Sequence, residues 1–358
     1  MTDVIRVMVV DSSAYVRCRL TFLLDKEPDI RVVGTAHHGA RALALVQELR
    51  PHVILLALEL NDGSALTVVD DMMHTHPTPI VVICGGRQDA AMMALKAVHM
   101  GAVDFIQCDP GDEAMLGTLR WELTEKVRTA SRIRVIRSLR SRKAPNASSP
   151  AGIGTERVSA APPVPAVETV APPETVVVIG ASTGGPTALR LLLGALPKRF
   201  PAGIIVVQHM PEGFTAVLAA QLDRYTAISV REAEHGTRLE MGAALVAPGD
   251  MHLLLRPGLC VHLTKEPSVG GHRPSIDVTM NSAVQICGVR TQGVILTGMG
   301  ADGAMGMKAI HAGGGKTFAQ DAESCVVDGM PKRARETGII DYVDTPAQIA
   351  RYLIATQP

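Results

Sequence analysis

Thr175-Val-Val-Val-Ile-Gly-Ala-Ser-Thr-Gly-Gly-Pro186 is the stretch on which the reading of this chain turns. The β-branched run Val176 to Ile179 predicts a buried parallel strand, and Ala188-Leu-Arg-Leu-Leu-Leu-Gly194 predicts an amphipathic helix. Between them, Gly180-Ala-Ser182-Thr-Gly184-Gly185 makes a tight turn that exposes a hydroxyl beside unpaired helix amides, which favour negative charge. Two functional readings stand beside a plain structural turn. One is a nucleophile turn, because Gly180-Ala-Ser182-Thr-Gly184 fits G-x-S-x-G. The other is a phosphate cradle, which wants G-x-G-x-x-G and an acidic residue closing the next strand. The next apolar run, Ile204 to Val207, ends in Gln208-His209. A histidine there suits a general base better than a ribose ligand, so the nucleophile reading is preferred.

A chain of 358 residues has room for two domains with full cores. Lys plus Arg and Asp plus Glu are equal at 35 each, so no overall field draws the protein to nucleic acid or to a membrane surface. No apolar run approaches bilayer-spanning length and no signal pattern opens the chain, which predicts a cytoplasmic protein without membrane insertion. The six cysteines form no C-x-x-C pair, and the twelve histidines offer no H-x-x-x-H with a third ligand. Neither a disulfide framework, a metal site nor a cofactor is expected.

Residues 1–125 alternate short apolar runs with amphipathic segments, from Val7-Met-Val-Val10 through Val53 to Leu58 and Ile80 to Cys84. This predicts an α/β domain with a doubly wound parallel sheet. Val10-Asp11-Ser-Ser-Ala14, Pro51-His-Val-Ile-Leu-Leu-Ala57-Leu-Glu-Leu60, Pro79-Ile-Val-Val-Ile-Cys84 and Gly101-Ala-Val-Asp-Phe-Ile-Gln-Cys108 resemble the landmark segments of a response-regulator receiver domain. Receivers accept a phosphoryl group on an Asp ending the third strand, hold Mg²⁺ through an acidic pair after the first, and use a Thr or Ser and a Lys near the fourth and fifth. Here those places hold Ala57, Ser12, Cys84 and Cys108, and only Asp11 remains. A hard cation wants several oxygen ligands and acyl-phosphate chemistry needs the carboxylate. Glu59 and Asp62 would face a different geometry. The resemblance therefore implies a pseudo-receiver, kept for docking and without a phosphorylation switch.

Residues 126–173 read as a linker. Lys126 to Lys143 carries eight Lys or Arg and no acidic residue, which is read as a solvated face in preference to a nucleic-acid or acidic-protein site. Ala144 to Pro173, rich in Ala, Pro, Ser and Val, reads as a tether.

Residues 174–358 predict a second doubly wound, Rossmann-like parallel sheet, with loops at three strand ends carrying Ser182, His209 and Asp302. Acyl transfer needs such a set: a hydroxyl to attack, an imidazole to take its proton, and a carboxylate to fix the imidazole. Each residue also has a plain role, as a helix cap, a strand-end residue or an N-cap. The chain order Ser, His, Asp departs from the Ser, Asp, His order of α/β-hydrolases. Ile179-Gly-Ala-Ser182-Thr-Gly-Gly-Pro186, Val207-Gln-His209-Met210, Val246-Ala-Pro-Gly-Asp-Met-His252, His272-Arg-Pro-Ser-Ile-Asp277 and Leu296-Thr-Gly-Met-Gly-Ala-Asp302-Gly303 resemble the motif series of the CheB-type chemotaxis methylesterases. The resemblance implies a Ser182–His209–Asp302 triad, with the backbone N–H of Met299 assigned to the oxyanion.

It further implies hydrolysis of glutamyl methyl esters on the cytoplasmic helices of chemoreceptors, with glutamine deamidation as a companion reaction. A chemotaxis kinase is a candidate docking partner for the pseudo-receiver. With no phosphorylation trigger, the site is expected to be always accessible or opened by a partner, and the first is preferred. Two alternatives remain: an adaptor that works by docking, and a nucleotide enzyme, which the missing acidic residue disfavours.

Overall fold

The computed structural model describes residues 4–61, 63–85, 88–108, 116–133 and 173–357. Asp62 and most of the linker, 134–172, lie outside the described residues. The first half is built from β1 (Ile5–Val10), α1 (Ala14–Leu24), β2 (Ile30–Ala36), α2 (Gly39–Leu49) and β3 (Val53–Ala57). A short antiparallel ladder, β4 (Glu59–Leu60) with β5 (Gly63–Ser64), leads into α3 (Ala65–Thr75). Then come β6 (Ile80–Cys84), α4 (Gln88–His99), β7 (Asp104–Gln107) and α5 (Leu116–Ser131). The five long strands pair in parallel in the order β2-β1-β3-β6-β7. β3 and β6 are buried at every position, as a parallel strand covered by helices on both faces must be.

α5 carries on past residue 125 to Ser131, so the basic run begins inside a packed helix. Lys126 departs from the solvated reading: its side chain is only 17% exposed and lies 2.9 Å from Glu122 and 3.6 Å from Asp104. Its Nζ also donates to the Phe105 carbonyl. An ammonium that leaves water needs such partners.

The second half is a seven-stranded sheet in the order β10-β11-β9-β8-β14-β15-β16. Its members are β8 (Thr175–Ala181), β9 (Ala202–Gln208), β10 (Ser229–Glu232), β11 (Ala243–Val246), β14 (Thr291–Ile295), β15 (Thr317–Gln320) and β16 (Tyr342–Asp344). All pairings are parallel. An antiparallel hairpin, β12 (His252–Arg256) with β13 (Cys260–Thr264), stands apart from it. The helices are α6 (Gly185–Gly194), α7 (Phe214–Tyr225), α8 (Ile276–Cys287), α9 (Ala304–Ala312), α10 (Met330–Glu336) and α11 (Pro346–Ala355).

The two halves share one apolar core. α4 packs on α6 and α7, and Phe105 of β7 stacks on Phe214 of α7 with ring centroids 4.7 Å apart and planes 7° from parallel. Buried residues of both halves, among them Ala91, Leu95, Leu189 and Phe214, form a single cluster. No helix among the described residues is long and apolar enough to cross a membrane.

Candidate active site

The connections of the second sheet run one way from β8 to β9 and the other way to β14, so a crevice opens at the carboxyl ends of β8 and β14. Ligands of doubly wound sheets bind at such switch points. Ser182 follows β8 directly, and its backbone N–H donates to the Thr297 carbonyl beyond β14 at 3.1 Å. Gly298 lets the two segments touch: a Cβ there would lie 2.8 Å from the Cβ of Ser182. Gly184, at φ 79°, turns the chain into α6 in a conformation that L side chains resist.

His209 follows β9, the neighbour of β8 on its other side. Its Nε2 lies 2.9 Å from Oδ2 of Asp302. Asp302 sits before α9 and caps the start of α8: Oδ2 also accepts from the Ile276 amide at 2.7 Å. Oδ1 accepts from the Asp277 amide, the Gly303 amide and the Ser275 hydroxyl, each at 3.0 Å. Burial works to raise the Asp302 carboxyl, but the His209 hydrogen bond and the α8 amides outweigh it and bring it down to about 2. Asp302 is therefore an anion, and Nε2 of His209 is held as its donor. Burial foremost, with nearby Asp302 adding to it, raises the neighbouring Asp277 carboxyl, against the Gly306 amide that it accepts.

With the proton on Nε2, the His209 lone pair is on Nδ1, which is buried and has no hydrogen-bond partner among the described residues. His209 and Ser182 line one cavity. The structure thus joins His209 directly to Asp302, and Ser182 lines the same cavity as His209. Gln208, which sequence reasoning weighed only as a strand end, ties the two loops together: its Nε2 donates to the carbonyls of Ser182 at 2.8 Å and His209 at 3.3 Å. The available signal was a lone amide side chain closing an apolar parallel strand.

Against the expectation of a site always accessible or opened by a partner, the first half lines the space beside Ser182 and His209. The cavity holds about 20 Å³, and its walls include Val98, Val103, Asp104, Phe105 and Lys126 of the first half. That is room for about one water molecule. Thr183, next to the candidate nucleophile, donates its hydroxyl to Oδ2 of Asp104 at 2.5 Å, and Thr129 of α5 donates to the Met299 sulfur at 3.2 Å. Contacts between residues so far apart in sequence leave no local pattern to read.

In the first half, Asp11, Ser12, Ala57, Cys84 and Cys108 line one groove at the carboxyl end of the sheet, with Glu59 and Asp89 exposed at its rim. Burial raises the Asp11 carboxyl, whose Oδ1 accepts the Ser13 amide at 2.7 Å. The Ser12 hydroxyl accepts the Asn61 amide at 3.0 Å and donates to the Glu59 carbonyl at 3.4 Å. Burial pushes the Cys84 thiol up to about 12, so it stays protonated. No group of three or more His, Cys, Asp or Glu among the described residues is placed to hold a metal.

A receiver-like domain seated over a hydrolase crevice defines a class of protein, and sequence relationships define it further. Residues 7–119 match the response regulator receiver domain and residues 177–353 the CheB methylesterase domain. The chain is 39% identical to protein-glutamate methylesterase/protein-glutamine glutaminase 1 of Geobacter metallireducens over 98% of its own length and 96% of the relative's. It is 40% identical to the protein of that name from Symbiobacterium thermophilum, over 93% and 92% of the two chains. The crystal structure of the Thermotoga maritima CheB methylesterase catalytic domain is similar at a TM-score of 0.50 and 45% identity, covering 51% of this chain and 98% of that one. The chain belongs to the CheB family of protein-glutamate methylesterases, and it is a hydrolase.

Proposed function

We propose that the chain hydrolyses glutamyl methyl esters on the cytoplasmic helices of chemoreceptors, releasing methanol and restoring glutamate, with deamidation of receptor glutamines as its second reaction. Ser182 attacks the ester carbonyl while Nδ1 of His209 takes its proton, and Asp302 stabilises the imidazolium that results. The imidazolium returns the proton to the departing methoxide, and water then opens the acyl-enzyme by the same route in reverse. Among the described residues no acceptor takes the Met299 N–H, and Met299 follows the glycine that touches Ser182. This open donor is suited to the oxyanion. The observation that carries the reading is the His209–Asp302 hydrogen bond, in a histidine that lines the same cavity as Ser182. Methanol release from methylated receptor membranes is the test, and its absence would reject the activity.

Residues 1–125 act in this reading as a pseudo-receiver and residues 174–358 as the catalytic unit, working in the cytoplasm, with 126–173 between them. Ala57 offers no carboxylate for a phosphoryl group. Full-length protein incubated with a small phosphodonor and Mg²⁺ is expected to keep its intact mass; a stoichiometric, labile phosphoryl adduct would overturn this.

The pseudo-receiver acts as an inhibitor in this reading, because Val103, Phe105 and Lys126 stand against the space beside Ser182 and leave only about 20 Å³ there. Each 1.4 kcal/mol of closure is tenfold in accessible site, so residues 174–358 alone are expected to turn over about tenfold faster or more. Asp104→Ala in the full chain, which removes the bond to Thr183 and a partner of Lys126, is expected to gain about three- to tenfold. Equal rates for fragment and full chain would leave the contact without a regulatory role. The contact also favours the enzyme over the adaptor reading, since an adaptor has no use for a first half packed against the Ser182 turn.

A further inference from the structure

The loop before α8 brings His272 against the face of His209. The two rings are stacked, with centroids 3.9 Å apart and planes 6° from parallel. The loop is tied by the backbone pair Val269–His272. Among the described residues, the His272 ring nitrogens make no hydrogen bond or ion pair with a side chain, so its contribution to His209 is its flat face.

Building on the esterase reading, we propose that His272 is a positioning residue: its ring holds the imidazole of His209 in the plane that joins Asp302 to Ser182. Asp302 grips His209 through Nε2 alone, and one hydrogen bond leaves a ring free to rotate about that contact. Rotation would re-aim Nδ1, the atom that takes the Ser182 proton in this reading. A parallel aromatic face at van der Waals distance opposes that rotation. Burial foremost, and then His209, push the His272 imidazole down to about 4, so it meets His209 as a neutral ring and adds no competing positive charge as the imidazolium forms. Asp302 raises it only in part, and Asp104 and Lys126 of the first half line the cavity on the Ser182 side. A neutral π face is also favourable toward the cation it covers.

Three full-length variants test this by methanol release. His272→Phe keeps a flat face and is expected to retain kcat within about threefold. His272→Ala and His272→Gln, which have none, are expected to lose kcat by about 10- to 100-fold with KM little changed, the scale of a misplaced catalytic group. His272 does not line the cavity between the halves, so opening of the pseudo-receiver is a step common to all three. Ala or Gln variants within threefold of the parent, or a Phe variant as slow as the Ala variant, would overturn the positioning role. Ser182→Ala run in parallel separates this from the underlying reading: if it stays active the triad itself is wrong, whereas if it is inactive and His272→Ala is not, only the role of His272 fails.

Discussion

Ser182→Ala is expected to lower methanol release by about 10⁴-fold while leaving the thermal unfolding midpoint where it was. The rate loss follows from chemistry: without the hydroxyl, no bond to the acyl group forms, and only the oxyanion donor and binding remain. The unchanged midpoint follows from structure. Ser182 is held through its backbone, by its N–H to Thr297 and its carbonyl from Gly185 and Gln208, and alanine keeps all three. Among the described residues no hydrogen bond depends on the Ser182 hydroxyl itself, so stability should move by no more than about 0.5 kcal/mol. Turnover and a melting curve on the same preparation decide the matter. A variant keeping half the parent rate would remove Ser182 from the reaction, and a variant that loses rate only because it melts would leave the role undecided in chemistry but expose a structural role for the hydroxyl.

Much of this was legible in the chain because the signals are local. The helix expected over Ala188 to Gly194 forms as Gly185–Gly194, and the apolar runs Val53–Ala57 and Ile80–Cys84 form buried strands, since a strand covered on both faces must be apolar throughout. Strand ends near a switch point likewise marked Ser182, His209 and Asp302 for attention. Tyr342–Asp344 escaped notice because three residues at a sheet edge, one of them an aspartate and another aspartate just before, carry too little apolar pattern to read as a strand. The cover over the site escaped for a different reason. Phe105 on Phe214, Thr183 on Asp104 and His272 on His209 are each one contact between segments far apart in sequence. Each partner alone has an ordinary local role, so periodicity cannot announce the pair. Lys126 is the sharpest instance: within its own stretch it is one of a run of basic residues, and only packing against Asp104 and Glu122 turns it into part of the wall of the cavity.

Asp302→Asn is expected to cost about 10³- to 10⁴-fold in turnover, because the carboxylate is surrounded by donors on both sides. Oδ2 accepts from His209 and Ile276, and Oδ1 from Ser275, Asp277 and Gly303. An amide has one accepting oxygen, so one orientation points its NH₂ at Nε2 of His209 and the Ile276 amide. His209 then escapes the clash only by moving its proton to Nδ1, which removes the lone pair that Ser182 needs. The other orientation turns the NH₂ on the amides of Asp277 and Gly303 and loosens the start of α8 and of α9. The charge has a second readout with a definite sign. The Asp302 carboxyl lies below its ordinary value, at about 2, so its stabilisation of the fold is complete above the unfolded value near 3.8 and fades as pH falls toward 2. The parent should therefore be more stable than Asp302→Asn at neutral pH, with the gap closing between those two values. Urea unfolding of both proteins at pH 7, 4 and 2.5 measures it. A gap that stays constant across that range would mean that the carboxylate contributes through shape and not through charge, and an Asn variant with near-parent turnover would mean that His209 is oriented by something other than Asp302.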